Sequence, residues 1–206
     1  MALSTNPERG GRIVLVRHGE TEWSRSGRHT GLTDIPLTPT GEYKAQLAGR
    51  LIAGRKFARV LTSPLQRARE TARYAGFPTA ETDIRLVEWD YGAYEGLTTP
   101  QIVEQLGTPW TVWEQGAPAG LTPGETVAEV TSRAESLIAS IEPLLREGTD
   151  ILLFSHGHFL RALTGVWLGL TATAGQLFSL DTSAVCELGY ERDYRVISEW
   201  NRVPGQ

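Results

Sequence analysis

The sequence of 206 residues has a single cysteine, Cys186, so no disulfide can form within the chain and no cysteine-based zinc site can be built. Positive charge is not in surplus: 20 Lys plus Arg stand against 24 Asp plus Glu, a formal net charge of −4. Such a chain has no overall field to draw it onto nucleic acid or an anionic membrane, so any anion it binds is held locally. Long apolar runs are missing too. Ile13 to Val16 is too short for the core of a signal peptide, and nothing approaches the ~18 apolar residues of a membrane span. Repeats and low-complexity tracts are absent. There is no Asp-x-Asp pair and no helical His-x-x-x-His pair, and His156-Gly157-His158 lacks a neighbouring carboxylate, so neither a metal nor another cofactor is expected. These absences point to a cytoplasmic protein without nucleic-acid or membrane partners.

What is present alternates between strands and helices. Residues 1–11 read as a loose lead-in. Ile13 to Val16 is a β-branched and leucine run of the kind buried on both faces of a sheet. Thr38-Pro39 reads as a cap with proline at the first helical position, opening a helix that buries Tyr43, Leu47, Ala48, Leu51 and Ile52. Residues 59–62 form a second strand, Ser63-Pro64 repeats the cap signal, and 82–86 is a third extended piece. Residues 88–124, rich in Gly, Pro and aromatics, form a lid or pocket insertion with one short helix at 100–106. A helix at 126–145 should kink or end early at Pro143. A strand at 150–154, a helix from 159 to 168 and a terminal strand pair at 183–190 and 194–200 complete the chain. The pattern predicts one α/β domain over 1–206, a three-layer α/β/α sandwich with a mostly parallel sheet. Ligand-binding residues should lie at the strands' C-terminal ends. The terminal edge strands leave a homodimer open.

Two strands end alike, Val16-Arg17-His18-Gly19 and Phe154-Ser155-His156-Gly157, so a parallel sheet carries His18 and His156 to one edge. Arg17 precedes the first, and Arg67 lies early in the helix after Ser63-Pro64, near its positive end. Two guanidiniums and two imidazoles around one spot imply a multiply charged tetrahedral anion, and phosphate is the natural candidate. His18 would then be a nucleophile toward phosphorus, with Arg17, Arg67 and His156 neutralising the equatorial oxygens. Glu88, between Val87 and Trp89, is the candidate proton donor, its partial burial favouring the neutral acid. Ser24, Thr30 and Gly31 either contact the ligand or make local turn and cap bonds. Tyr91, Gly157, His158 and Arg161 are further candidates for the substrate site, whereas His29 reads as a surface residue. Trp23, Trp89, Trp110 and Trp113 either wall the pocket or pack beneath it. Cys186 reads as a buried small hydrophobe.

At Arg17-His18-Gly19-Glu20-Thr21 the chain resembles the histidine phosphatase superfamily, the phosphoglycerate mutase-like family. The likeness continues at Leu37-Thr38-Pro39-Thr40-Gly41, Ser63 to Ala72, Glu88 to Gly96, Gly124-Glu125-Thr126 and Ser155-His156-Gly157-His158. It implies the phosphoglycerate mutase-like fold, a phosphohistidine on His18, a phosphate pocket of Arg17, Arg67 and His156, and Glu88 as acid. The sequence departs from the family at Ser24, where an Asn usually follows the Trp. It departs from the mutases at Thr99, where they carry a Lys eleven residues after the acid, and it lacks their Arg-Arg pair, since 88–155 holds only Arg133 and Arg146. It looks more like the branch of broad-specificity acid phosphatases and fungal sedoheptulose-1,7-bisphosphatases, in which Arg161 would meet a second phosphate or a sugar oxygen. The expected function is a phosphomonoesterase acting on a small-molecule phosphate ester. The rivals are a sugar bisphosphatase, a bisphosphoglycerate-dependent mutase and a non-catalytic phosphate sensor.

Overall fold

Strand residues 13 to 16 point alternately to opposite faces, and all four are apolar, so β1 (Ile13–Arg17) needs a helical layer on each side. The computed structural model, which describes residues 10–205, supplies both layers. Around β1 lie β2 (Arg59–Thr62), β3 (Glu81–Thr82), β4 (Ile151–Ser155), β5 (Val185–Glu191) and β6 (Tyr194–Arg202), in the spatial order β3-β2-β4-β1-β5-β6. The first four in that order run parallel, β5 pairs antiparallel with β1, and β6 pairs antiparallel with β5.

The helices are α1 (Glu22–Arg25), α2 (Pro39–Leu51), α3 (Gln66–Tyr74), α4 (Thr99–Leu106), α5 (Val112–Gln115), α6 (Val127–Arg146) and α7 (Gly157–Trp167). Ala48 of α2 and Ala72 of α3 pack with Val14, Val16, Leu152 and Phe154 on one face of the sheet. Helices α4 to α7 cover Ile13, Leu15, Ile151 and Leu153 on the other. This is the expected α/β/α sandwich. Parallel pairing of β1 with β4 sets Arg17 opposite Ser155, so the residues that follow, His18 and His156, emerge side by side.

Local departures from the sequence reading have physical causes. The cap at Thr38 is as expected, its hydroxyl accepting from Gly41 N at 3.1 Å. However, α2 buries Gly41, Ala45 and Ala48 and leaves Tyr43 exposed, because the small residues let it approach the sheet closely. Ser63-Pro64 does not cap α3. That helix starts at Gln66, whose N–H is taken by the Asp34 carboxylate at 2.7 Å. Residues 84–86 form a 3-10 turn, and the strand before it is only Glu81–Thr82. Pro143 does not end α6 early, since it falls in the last turn, where buried Ile141 and Leu145 hold the helix down to Arg146. Of the proposed lead-in, residues 1–9 lie outside the described residues. Gly11 is already tied in, its N–H donating to Leu145 O at 2.6 Å. In segment 88–124, Trp89, Ile102, Trp110 and Trp113 are buried in the core.

Candidate active site

A cavity of about 170 Å³ opens at the C-terminal edge of β1 and β4. Its floor and walls include Arg17, His18, Ser24, Thr30 and Glu88, and, from the other side, Tyr91, Gly157, His158 and Arg161. Nine residues singled out in the sequence therefore meet at one place. Gly27, Arg28, His29 and Leu180 line it as well.

His18 is almost fully buried, and its Nδ1 lies 2.7 Å from Gly19 O. A carbonyl only accepts, so Nδ1 carries the hydrogen and Nε2 keeps its lone pair. Burial, then the charges of Arg67 and Arg17, hold His18 well below the usual histidine range, so the ring stays neutral into the acid range. Arg17 Nη1 donates to Leu180 O, while its Nε is buried with no protein partner. Burial presses this guanidinium below its ordinary value, against the opposing pull of Glu88. Gly157 is needed beside it: a Cβ there would stand 3.2 Å from Arg17 Cζ.

Arg67 and His156 are drawn in as expected, but they sit one layer below the cavity, both fully buried. Arg67 Nε donates to His156 Nδ1 at 3.1 Å, which leaves the hydrogen on Nε2, and this faces Ser63 Oγ at 2.8 Å. Ser63 thus serves an imidazole as well as the N–H of Leu65, which precedes α3, at 3.3 Å. Arg67 also donates to the carbonyls of Thr30, Gly31 and Thr33. The His18 and His156 ring centres are 5.1 Å apart, so Arg67 and His156 back the floor from behind. Burial and then Arg67 hold His156 well below its ordinary value.

Glu88 sits at the N-terminus of α7. Its Oε1 accepts from Trp89 N and Phe159 N at 2.9 and 2.8 Å, and its Oε2 from His158 N at 3.0 Å. Burial alone, the basis of the sequence expectation, omits these three donors. Oε2 is the oxygen with room for a further bond. The strand-to-helix joint carries the carboxylate because its side chain occupies the place of the missing N-cap; His156 makes no side-chain cap bond.

The upper wall is aromatic. The Tyr91 hydroxyl lies 2.6 Å from His158 Nδ1, and His29 stacks on Tyr91 with ring centres 4.7 Å apart. Burial raises Tyr91 well above its ordinary value and lowers His158 well below its own, so both are neutral. Burial takes His29 down to about 4. This residue is no free surface group: its Nε2 meets Thr99 Oγ1 at 3.0 Å. All four histidines of the chain therefore belong to this one site. Trp113 lies under His158 and Arg161, their aromatic neighbour rather than a cavity wall.

Not every candidate faces the cavity. Gly31 is held outside it by Glu95, whose carboxylate accepts the Gly31 N–H at 2.9 Å. It is glycine because a Cβ would stand 2.7 Å from Trp89 O. Ser24 lines the cavity, but its hydroxyl is engaged in a capping box with Thr21. Gly19 N, a candidate anion donor by position, donates to Thr71 Oγ1 instead. Among the described residues none of Arg17, Arg28, Arg67 and Arg161 forms an ion pair, although most other arginines do. Four guanidiniums without paired carboxylates, around a cavity whose own carboxylate is tied to backbone, make a site for an anion.

Residues 13–203 match the description "Histidine phosphatase superfamily (branch 1)". The chain belongs to the histidine phosphatase superfamily. Within it, an acid phosphatase of Mycobacterium tuberculosis is 43% identical over 193 residues, 92% of each chain. The sedoheptulose 1,7-bisphosphatase of Saccharomyces cerevisiae is 37% identical over 188 residues, 77% of this chain and 68% of the other. A solved structure of an open reading frame from Mycobacterium tuberculosis superposes with a TM-score of 0.87 at 41% identity, covering 94% of this chain and 98% of its own. Phosphoglycerate mutases are also among the relatives. Among the described residues no helix is long and apolar enough to cross a membrane.

Proposed function

We propose that this histidine phosphatase superfamily member is a phosphomonoesterase for small phosphate esters, with His18 as the nucleophile. The observation that carries the proposal is a neutral, buried His18 with a free Nε2 lone pair, held beside the Arg17 guanidinium at the floor of an anion-fitted cavity. In the first step Nε2 bonds to phosphorus as the ester P–O bond breaks, and Glu88 gives its proton to the departing oxygen from Oε2. In the second, Glu88 takes a proton from water, which attacks phosphorus and releases phosphate and His18. Arg17, Arg67 and His156 oppose the oxygen charges, with no metal or cofactor in the scheme. Thr30, Gly157, His158 and Tyr91 shape the cavity around the ester group; Ser24 and Gly31 hold loops in place.

Several features favour hydrolysis over mutase chemistry. Thr99, at the position of the mutase lysine, is bonded to His29, and Arg133 is taken up by Glu125 and by the carbonyls of Arg85 and Val87. Arg28 and Arg161, on the cavity wall, favour substrates with a second anionic group, so a sugar bisphosphate should outpace the matching monophosphate in kcat/KM. A cytoplasmic location fits the lone buried Cys186, and a homodimer would use the free side of edge strand β6.

His18→Ala should abolish turnover of such a panel while the circular dichroism spectrum stays native. An alkali-quenched reaction of the unaltered enzyme with phosphoryl-labelled ester should leave alkali-stable, acid-labile label on His18. Hydrolysis retained by the variant would refute the assignment. A bound but inert phosphate in the unaltered protein would leave only the sensor reading.

A further inference from the structure

Among the described residues three non-glycine residues have positive φ: Ser183, Arg192 and Asn201. Arg192 occupies the β5–β6 turn, where that conformation is ordinary. Asn201 and Ser183 lie outside that turn, and residues held so are kept where their surroundings over-determine them.

Asn201 lies inside β6 at a bulge, since the pairing of β5 with β6 shifts between Val185 and Glu187. The bulge turns the Asn201 amide onto the preceding loop: Oδ1 accepts from Asp181 N at 2.8 Å, and Nδ2 donates to Asp181 Oδ2 at 2.9 Å. Next to it, Trp200 Nε1 donates to Ser179 O at 2.6 Å. The same loop grips the cavity floor from its other side. Leu180 O accepts from Arg17 Nη1, Ala184 O accepts from Arg17 N, and Ser183 N donates to His18 O at 3.2 Å. Two of the three buried side-chain atoms without a partner among the described residues, Arg17 Nε and Ser183 Oγ, also lie here.

We propose that Asn201 is a positioning residue for Arg17 and His18, acting through the loop 179–184. Without its amide, Asp181 loses both clasping bonds, Leu180 O is no longer fixed, and the Arg17 guanidinium loses the acceptor that aims it. The Asp181 carboxylate also moves away from Arg17, whose positive charge it supports. This inference rests on the reading of Arg17 and His18 as the phosphoryl floor.

The test is competitive inhibition by inorganic phosphate, measured with a nitrophenyl ester, in Asn201→Gly. Glycine accepts the left-handed backbone and removes only the amide. The inhibition constant should rise about tenfold, a fraction of what a full ångström of misplacement costs. Asp181→Ala, which leaves the bulge and the backbone bond untouched but removes the side-chain bond and the charge that supports Arg17, should raise the constant in the same direction and serves if the glycine variant does not fold. The exchange Asp181→Asn with Asn201→Asp keeps the bond from the residue-181 backbone N–H, rebuilds the side-chain bond with donor and acceptor reversed, and should restore the constant to within about threefold. Arg195→Gln, on the same strand as Asn201, which breaks an ion pair to Glu142 of α6, should leave it unchanged. An unaltered constant in Asn201→Gly or Asp181→Ala, or no recovery in the exchange, overturns the clasp. Arg17→Ala separates the two readings: if it too leaves phosphate inhibition unchanged, the floor itself is misassigned, whereas a loss there alone removes only the role of Asn201.

Discussion

At the scale of single residues, the backbone determines what the carboxylate of Glu88 can do. Three N–H groups fix it at the end of α7, and a leaving alkoxide needs a proton from it while a nitrophenolate does not. Glu88→Gln should therefore slow alkyl phosphates at least a hundredfold and nitrophenyl phosphate by less than about tenfold. The glutamine must also turn an NH2 toward a backbone donor, so the midpoint of urea unfolding should fall by an amount equivalent to about 1–2 kcal/mol. Equal kinetic losses on both esters would remove Glu88 as the acid. The sequence located this residue because it lies in a short run of recognisable pattern, as do Arg17, His18, Arg67 and His156. It did not show that Arg67 and His156 sit beneath the floor, nor that His29 joins the wall. Those placements depend on the bonds from Arg67 to Thr30, Gly31 and Thr33 and on the packing of Tyr91, contacts made by loops far away along the chain.

Helix α6 reaches the site from a distance through one side chain. Arg133 holds both oxygens of Glu125 and the carbonyls of Arg85 and Val87, and so braces the turn that presents Glu88. Lysine keeps the charge but cannot make a planar fork. Arg133→Lys should cost about 2 kcal/mol of stability in denaturant unfolding and lower kcat more than it weakens phosphate binding. A variant as stable and active as the original would show the brace to be dispensable. Strands and long helices were legible because hydrophobic period and caps set them locally, as at Thr38 and Thr126. The short pieces α1 and α5 were not, since four residues carry no period and are fixed by their caps and neighbours. Ser63-Pro64 misled because a serine hydroxyl near a helix start can serve a distant imidazole equally well.

For the whole molecule, collecting every histidine at one buried site links folding to pH. His18, His29, His156 and His158 all lie below the ordinary value in the folded protein, His29 at about 4, while unfolding returns them to about 6.5. Between those limits the unfolded chain holds more protons, so stability is full above pH 6.5 and erodes as pH falls. Asp83, Glu129 and Glu142, themselves held below their usual range, contribute the same sign only further into acid. The urea midpoint should therefore drop from pH 7.5 to pH 5.5, and a flat profile would contradict neutral burial of the imidazoles.

The gathering of these rings has a practical side for spectroscopy. Because no imidazole lies elsewhere in the polypeptide, every imidazole-nitrogen resonance in a nitrogen-15 spectrum reports on the phosphoryl chamber without selective labelling. Titrating vanadate into such a sample would reveal, ring by ring, which tautomer each occupies and which nitrogen meets the oxyanion.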